Sequence, residues 1–227
     1  MERKEFIKKW FAMMGYAIVI PIAQACKKDS NGTGGTGSAN ACVSSPSETA
    51  GPFPTKSPAS FTIRDIKSDR TGVAMAINIT IQNVNNNCAA FTGALVDVWH
   101  CDKDGNYSEY GSLTSQHFLR GRQTADSNGV ASFATIFPGW YPGRAPHIHV
   151  QVFNASGKSL LITQIAFPTD ICDTVYTSAT NFYNKGKQDT SNTRDGIFAD
   201  SLDDEIGKLS GSIANGYTLT HTIKVKG

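Results

Sequence analysis

The stretch TIFPGWYPGRAPHIHVQVF, from Thr135 to Phe153, decides how this chain folds. Its first residues finish an extended run, VASFATI from Val130 to Ile136, and its last seven, HIHVQVF from His147 to Phe153, form another. Both runs are short and rich in β-branched or alternating residues, which reads as strand. Between them Pro138, Gly139, Pro142 and Gly143 interrupt regular structure and make a rigid loop. On a strand, residues two apart share a face at about 6.5–7 Å, so His147 and His149 can converge while Ile148 points into a core.

The same pattern recurs on either side, in Val73 to Val84, Ala94 to Trp99, Leu160 to Phe167 and Tyr217 to Val225, each bounded by Gly, Pro, Asn or Asp clusters. Helical spacing is confined to Asp173 to Lys185 and Leu202 to Leu209. The prediction is an all-β chain, an antiparallel β-sandwich with long loops and one or two short helices. No internal repeat, phosphate-binding glycine loop or nucleophile elbow is present.

The chain has 227 residues, enough for one sizeable domain beside a targeting segment. Residues 1–25 read as a signal peptide. A basic start runs into the apolar segment Phe11 to Ala23, which is shorter than the roughly 20 residues a membrane span needs. The run ends in Ala23-Gln24-Ala25-Cys26, a lipobox-like sequence that makes Cys26 the candidate lipidated residue. Arg3-Lys4-Glu5-Phe6-Ile7-Lys8 resembles a twin-arginine signal with lysine for the second arginine; an ordinary charged start is the competing reading. Residues 26–41, rich in Gly, Ser, Thr and Asn, have nothing to bury and read as a flexible tether, leaving 42–227 as the folded domain. These features predict an exported lipoprotein of a bacterial cell envelope, touching membrane only through its lipid.

The formal charge of +2 belongs to the signal segment, because Lys plus Arg and Asp plus Glu balance from Cys26 onward, so no nucleic-acid footprint remains. Four cysteines follow Cys26: Cys42, Cys88, Cys101 and Cys172. An even count in an exported chain favours two disulfides. An extended strand between Cys88 and Cys101 would hold them ~25 Å apart, which disfavours that pair. Cys42 with Cys88 and Cys101 with Cys172 is the expected pairing.

Taken alone, His147-Ile148-His149 is ambiguous, since such pairs occur in cupin-like metal sites, in zinc hydrolases and as surface histidines. Two tyrosines narrow the choice. Tyr141 lies in the loop entering the histidine strand, and Tyr107 follows Asp102-Lys103-Asp104-Gly105, a turn just past another strand. A deprotonated phenol is a hard donor that suits ferric iron, although an aromatic packed in a loop is the commoner fate of a tyrosine.

From about Cys42 to the C-terminus the chain resembles the intradiol ring-cleavage dioxygenases, especially exported single-chain relatives of the protocatechuate 3,4-dioxygenase subunits. The resemblance rests on ETAGPF (Glu48 to Phe53), DVWHCDKDGNYS (Asp97 to Ser108), FLRGRQT (Phe118 to Thr124), TIFPGWYPGRAPHIHV (Thr135 to Val150) and TQIAFPTD (Thr163 to Asp170), in that order. It implies a β-sandwich holding non-haem Fe(III) through Tyr107, Tyr141, His147 and His149, without an organic cofactor. The implied reaction cleaves a small aromatic diol with O2 to a muconate-type diacid. Arg144 and Gln164 would stabilise charge on the substrate, and Thr49, Gly51, Pro52, Phe53 and Trp140 would line its pocket. Phe53 stands where the protocatechuate enzyme can carry a tyrosine, and the segment from Tyr141 to His147 is short, so the resemblance leaves the particular catechol open. His100, His117 and His221 lack a partner at metal spacing. A non-catalytic, lipid-anchored binding sandwich with a vestigial metal site is the rival reading, and whether the chain forms a homo-oligomer stays open.

Overall fold

Alternation is clearest in VAMAINITIQNV, where every second side chain is Met or Ile, and there the chain forms β1 (Ala74–Asn83) with Met75, Ile77, Ile79 and Ile81 buried. In the computed structural model, which describes residues 42–227, the further strands are β2 (Ala89–Ala90), β3 (Leu95–Trp99), β4 (Arg120–Thr124), β5 (Val130–Ile136), β6 (His147–Phe153), β7 (Ser159–Ala166), β8 (Lys208–Ser212) and β9 (Gly216–Val225). The signal segment, Cys26 and the tether lie outside the described residues.

Two sheets form. One has the order β2-β1-β9-β8, with β5 also paired to β1; the other runs β4-β3-β6-β7. Their facing sides share one core, in which Ile77, Ile79, Phe133 and Leu219 of the first meet Val96, Val98, Ile148, Val150 and Ile165 of the second. Each such side chain, fully buried, contributes about 1.5–3 kcal/mol, and this sets the register: a one-residue slip would turn the apolar row of β6 outward and the histidines inward.

The sandwich is as expected, but not wholly antiparallel. β9 lies parallel to β1, Met75 opposite Tyr217 through Asn83 opposite Val225. Strand alternation is the same in either direction, so the sequence pattern does not encode the sense of pairing.

The helices also differ from expectation. α1 spans Thr169–Ser178, starting behind Pro168, and ends before Tyr183, whose hydroxyl donates to the Phe137 carbonyl and accepts from Val73 N–H. α2 is limited to Leu202–Glu205, because Lys208–Ser212 is drawn into the sheet against β9.

Cys42 and Cys88 form a disulfide. The expected Cys101–Cys172 bridge does not form, and both are buried free thiols. Cys172 packs in the main core with Val175 and Tyr176, whereas Cys101 belongs to a separate cluster with Trp99 and Tyr107 and donates to the Gly139 carbonyl.

Candidate metal centre

The site is built on the outer face of the four-stranded sheet. Arg120 pairs with Trp99, Trp99 with His149 and His149 with Gln164, so one row crosses β4, β3, β6 and β7. Their neighbours Val98, Val150 and Ile165 point the other way, into the core. Period-two geometry therefore aligns an arginine, an indole, an imidazole and an amide on one surface. His147, two residues before His149, extends the row.

Two loops bring the tyrosines to this surface. Asp102 Oδ1 accepts from the Asp104 and Asn106 N–H groups, both at 2.9 Å, closing the turn that presents Tyr107. This is the hydrogen-bonded Asx turn that Asp favours rather than a calcium loop. The Tyr141 loop docks on it: Gly139 N–H donates to the Asp102 carbonyl at 3.0 Å. Gly139 is required there, because a Cβ would collide with the Lys103 carbonyl. Lys185 Nζ binds the Asp104 and Trp140 carbonyls together.

The four predicted side chains meet. His147 Nε2 lies 3.3 Å from the Tyr107 hydroxyl, 3.1 Å from the Tyr141 hydroxyl and 3.2 Å from His149 Nε2. His147 Nδ1–H donates to the Ala145 carbonyl at 2.7 Å, leaving Nε2 one bare lone pair. That lone pair can accept only one of the three hydrogen bonds the distances suggest, whereas a cation between the four donor atoms would take a lone pair from each.

Electrostatics agrees. Burial first, then Arg144, pushes His147 down to about 3, and burial followed by His147 and Arg144 also depresses His149, so both stay neutral as ligands must be. Burial raises the phenols of Tyr107 and Tyr141, so they give up a proton only to a strongly polarising cation. The residues thus fit a hard metal ion. Among the described residues no group of three or more His, Cys, Asp and Glu side chains is placed to hold a metal ion, so the two phenols are what complete this donor set beyond the histidine pair.

A family model described as dioxygenase matches residues 53–198. The chain belongs to the intradiol ring-cleavage dioxygenases. It is 31% identical to a chlorocatechol 1,2-dioxygenase from Rhodococcus opacus over 139 residues, spanning about half (52%) of that relative's length and 52% of its own. An intradiol ring-cleavage dioxygenase from Tetranychus urticae superposes with a TM-score of 0.71 at 27% identity, covering 81% of this chain and 94% of that one. The dioxygenase domain of a carbohydrate-binding fusion from Streptomyces sp. SirexAA-E gives 0.60 at 25% identity, covering 80% and 97%.

The other residues singled out from the sequence take distinct places. Gly51, at φ +66°, lets the arm before β1 pass against the His149 ring: a Cβ there would stand 3.0 Å from Cε1. Phe53 stacks on Tyr107 with centroids 4.8 Å apart. The Thr49 carbonyl accepts from Gln164 Nε2 at 2.9 Å, while Pro52 is exposed. Arg144 Nη2 donates to Gln164 Oε1 at 2.6 Å. Trp140 is half-buried with its Nε1 on the Gly186 carbonyl and Lys185 Nζ over its ring, contacts that hold the tyrosine loop.

Three neighbours were not singled out from the sequence. Trp99 stacks parallel to His149 at 5.0 Å. Arg120, fully buried, donates to Ser108 Oγ, the Ser108 carbonyl and the Phe53 carbonyl, tying the Tyr107 loop to the arm. Asp195, also fully buried, accepts from Arg144 Nε at 2.8 Å. Trp99 and Arg120 sit inside the matching segments, where strand register could have pointed to them; nothing local marks Asp195.

Proposed function

We propose that the chain binds Fe(III) through Tyr107, Tyr141, His147 and His149 and uses O2 to cleave a catechol between its two hydroxylated carbons, giving a muconate-type diacid. The convergence of two phenols on two neutral imidazoles carries this reading. When bound, a ferric ion would draw electron density out of a chelated catechol so that the ring itself reacts with O2.

The protein's own groups divide the remaining work. Tyr141 is half-buried and Tyr107 is buried under Phe53, so Tyr141 is the phenol with room to move and accept a catechol proton at its oxygen. Arg144, a permanent cation with Gln164 fixed beside it, supplies positive charge already aimed at the site. Trp99 and Gly51 pack on the His149 ring and keep its lone pair pointed inward. We further infer a ring without a carboxylate. Phe53 offers no hydrogen bond, and the Asp195 carboxylate already occupies Arg144 Nε, with Glu48 close to the same guanidinium. The signal segment and Cys26 support a cell-envelope lipoprotein, which loss of lipid labelling in Cys26→Ala would test.

The purified domain should contain iron, show a visible tyrosinate-to-iron band and consume O2 with catechol or hydroxyquinol faster than with protocatechuate. Tyr107→Phe and Tyr141→Phe should each weaken or shift the band. Full colour in both variants would overturn the ligand assignment.

A further inference from the structure

The buried carboxylate of Asp195 belongs to no ligand set and touches none of the four converging donor atoms, yet it is among the most heavily bonded groups near them. Oδ2 accepts from Arg144 Nε at 2.8 Å and from Ala145 N–H at 2.7 Å; Oδ1 accepts from Ile197 N–H at 2.9 Å and from Arg144 Nε at 3.1 Å. The residue is 0% exposed, while the Arg144 side chain is 18% exposed. The carboxylate is thus fixed by backbone, and the guanidinium is fixed by the carboxylate.

The guanidinium has two edges. Nε and Nη2 are occupied, by Asp195 and by Gln164 Oε1 at 2.6 Å. Nη1 donates to no group among the described residues. Phe198, fully buried, lies under the cation at 5.6 Å from its ring centroid and also meets the His147 ring edge-on at 6.3 Å. Gln164 pairs directly with His149 across the sheet. Without Asp195 the arginine would keep one hydrogen-bonded side-chain partner, Gln164, beside the Phe198 ring, and its long stem could turn toward solvent; a rotamer-rich side chain regains freedom when a fixed partner is lost.

We propose that Asp195 is a positioning residue, which clamps Nε of Arg144 so that the Nη1 edge is presented beside the His147–His149 pair. The 195–198 turn then serves the site twice, through the carboxylate that holds the cation and through the phenyl ring that supports it. Fully buried, Asp195 acts through Arg144 alone. Its contribution is to keep Arg144 from spending time in unproductive orientations, an effect on the chemical step rather than on affinity.

Two measurements test this, and only the second rests on the ring-cleavage reading. In the metal-free chain, labelled at arginine, the Arg144 Nε–H should exchange slowly with water and its exchange should quicken at least tenfold in Asp195→Asn. Unchanged exchange would overturn the proposal. In the iron-loaded enzyme, Asp195→Asn should lower kcat at least tenfold, with KM within about threefold and the visible band intact, and Asp195→Glu should recover part of kcat. Added guanidinium should rescue Arg144→Ala while Asp195 is present, but should need at least tenfold higher concentration in Arg144→Ala/Asp195→Asn. Equal rescue in both backgrounds would overturn it. If Asp195→Asn does not fold, Asp195→Glu replaces it in both measurements, with a smaller loss of exchange protection and weaker rescue expected. A wild-type chain that never cleaves a catechol would sink the proposed reaction and leave the exchange experiment to decide on Asp195.

Discussion

Gly51→Ala is the substitution whose consequences can be followed furthest. Gly51 adopts φ +66°, a left-handed conformation that costs an L-residue about 1–2 kcal/mol. The new Cβ would also stand 3.0 Å from His149 Cε1, several tenths of an ångström inside ordinary contact. The ring has little freedom to yield, because it is stacked on Trp99 within 1° of parallel and its backbone is paired on both sides, with Trp99 and with Gln164. The backbone term should appear in the metal-free protein as a melting temperature lower by about 2–8 °C, from roughly 2–4 °C per kcal/mol at this size. The contact term should appear as weaker metal retention, about ten- to a hundredfold, the range expected when a group that orients a ligand is disturbed. Thermal unfolding of the metal-free chain reads the first, and competition with an iron chelator, followed by the visible band, reads the second. A Gly51→Ala protein that melts lower but holds metal as tightly as wild type would refute the idea that the arm constrains His149.

Removing the disulfide with Cys42→Ser/Cys88→Ser should cost about 4 kcal/mol by the chain-entropy relation for a sequence separation of 46, seen as a lower denaturant midpoint; a loss under 1 kcal/mol would contradict it. Cys101 and Cys172 should react with a thiol reagent only after unfolding, since both are buried, and rapid labelling of the native chain would count against their placement. Burial pushes His100 down to about 4 from its usual 6.5, so between those values the unfolded chain takes up a proton that the folded chain refuses. The resulting stability is complete above about pH 6.5 and falls by about 3 kcal/mol by pH 4. Denaturation at pH 7 and pH 4.5 should therefore show a shallower pH dependence in His100→Gln, and parallel slopes would refute the assignment. Lys185→Met should loosen both tyrosine loops, which share its ammonium through the Asp104 and Trp140 carbonyls, and so weaken the visible band while leaving the sheets intact.

The strands at the centre of the site were legible because two residues per repeat is a local property. β5 and β6 begin and end where their alternation does, and the structure brings Tyr107, Tyr141 and His149 within hydrogen-bond distance of His147 Nε2. β4 and β8 were not legible. RGRQT and KLSGS carry too few apolar residues to announce a strand, and they become strands because β3 and β9 offer them open edges. The free thiols follow the same logic: an even cysteine number favours a second bridge, but Cys101 and Cys172 are placed in different clusters by the packing of α1 and the Tyr107 loop.

By itself, then, the sequence determined the sandwich class, the strand that carries two histidines on one face and the two loops that carry tyrosines, all consequences of short-range periodicity and turn chemistry. Only the tertiary structure decided that β9 lies parallel to β1, that Arg120 and Trp99 stand in register with His149 and Gln164, and that Asp195 reaches Arg144 across 51 positions of chain. Those contacts depend on which strand edges meet and which buried charges find partners. Such choices are settled by desolvation and packing of the whole core, and no local run of residues records them.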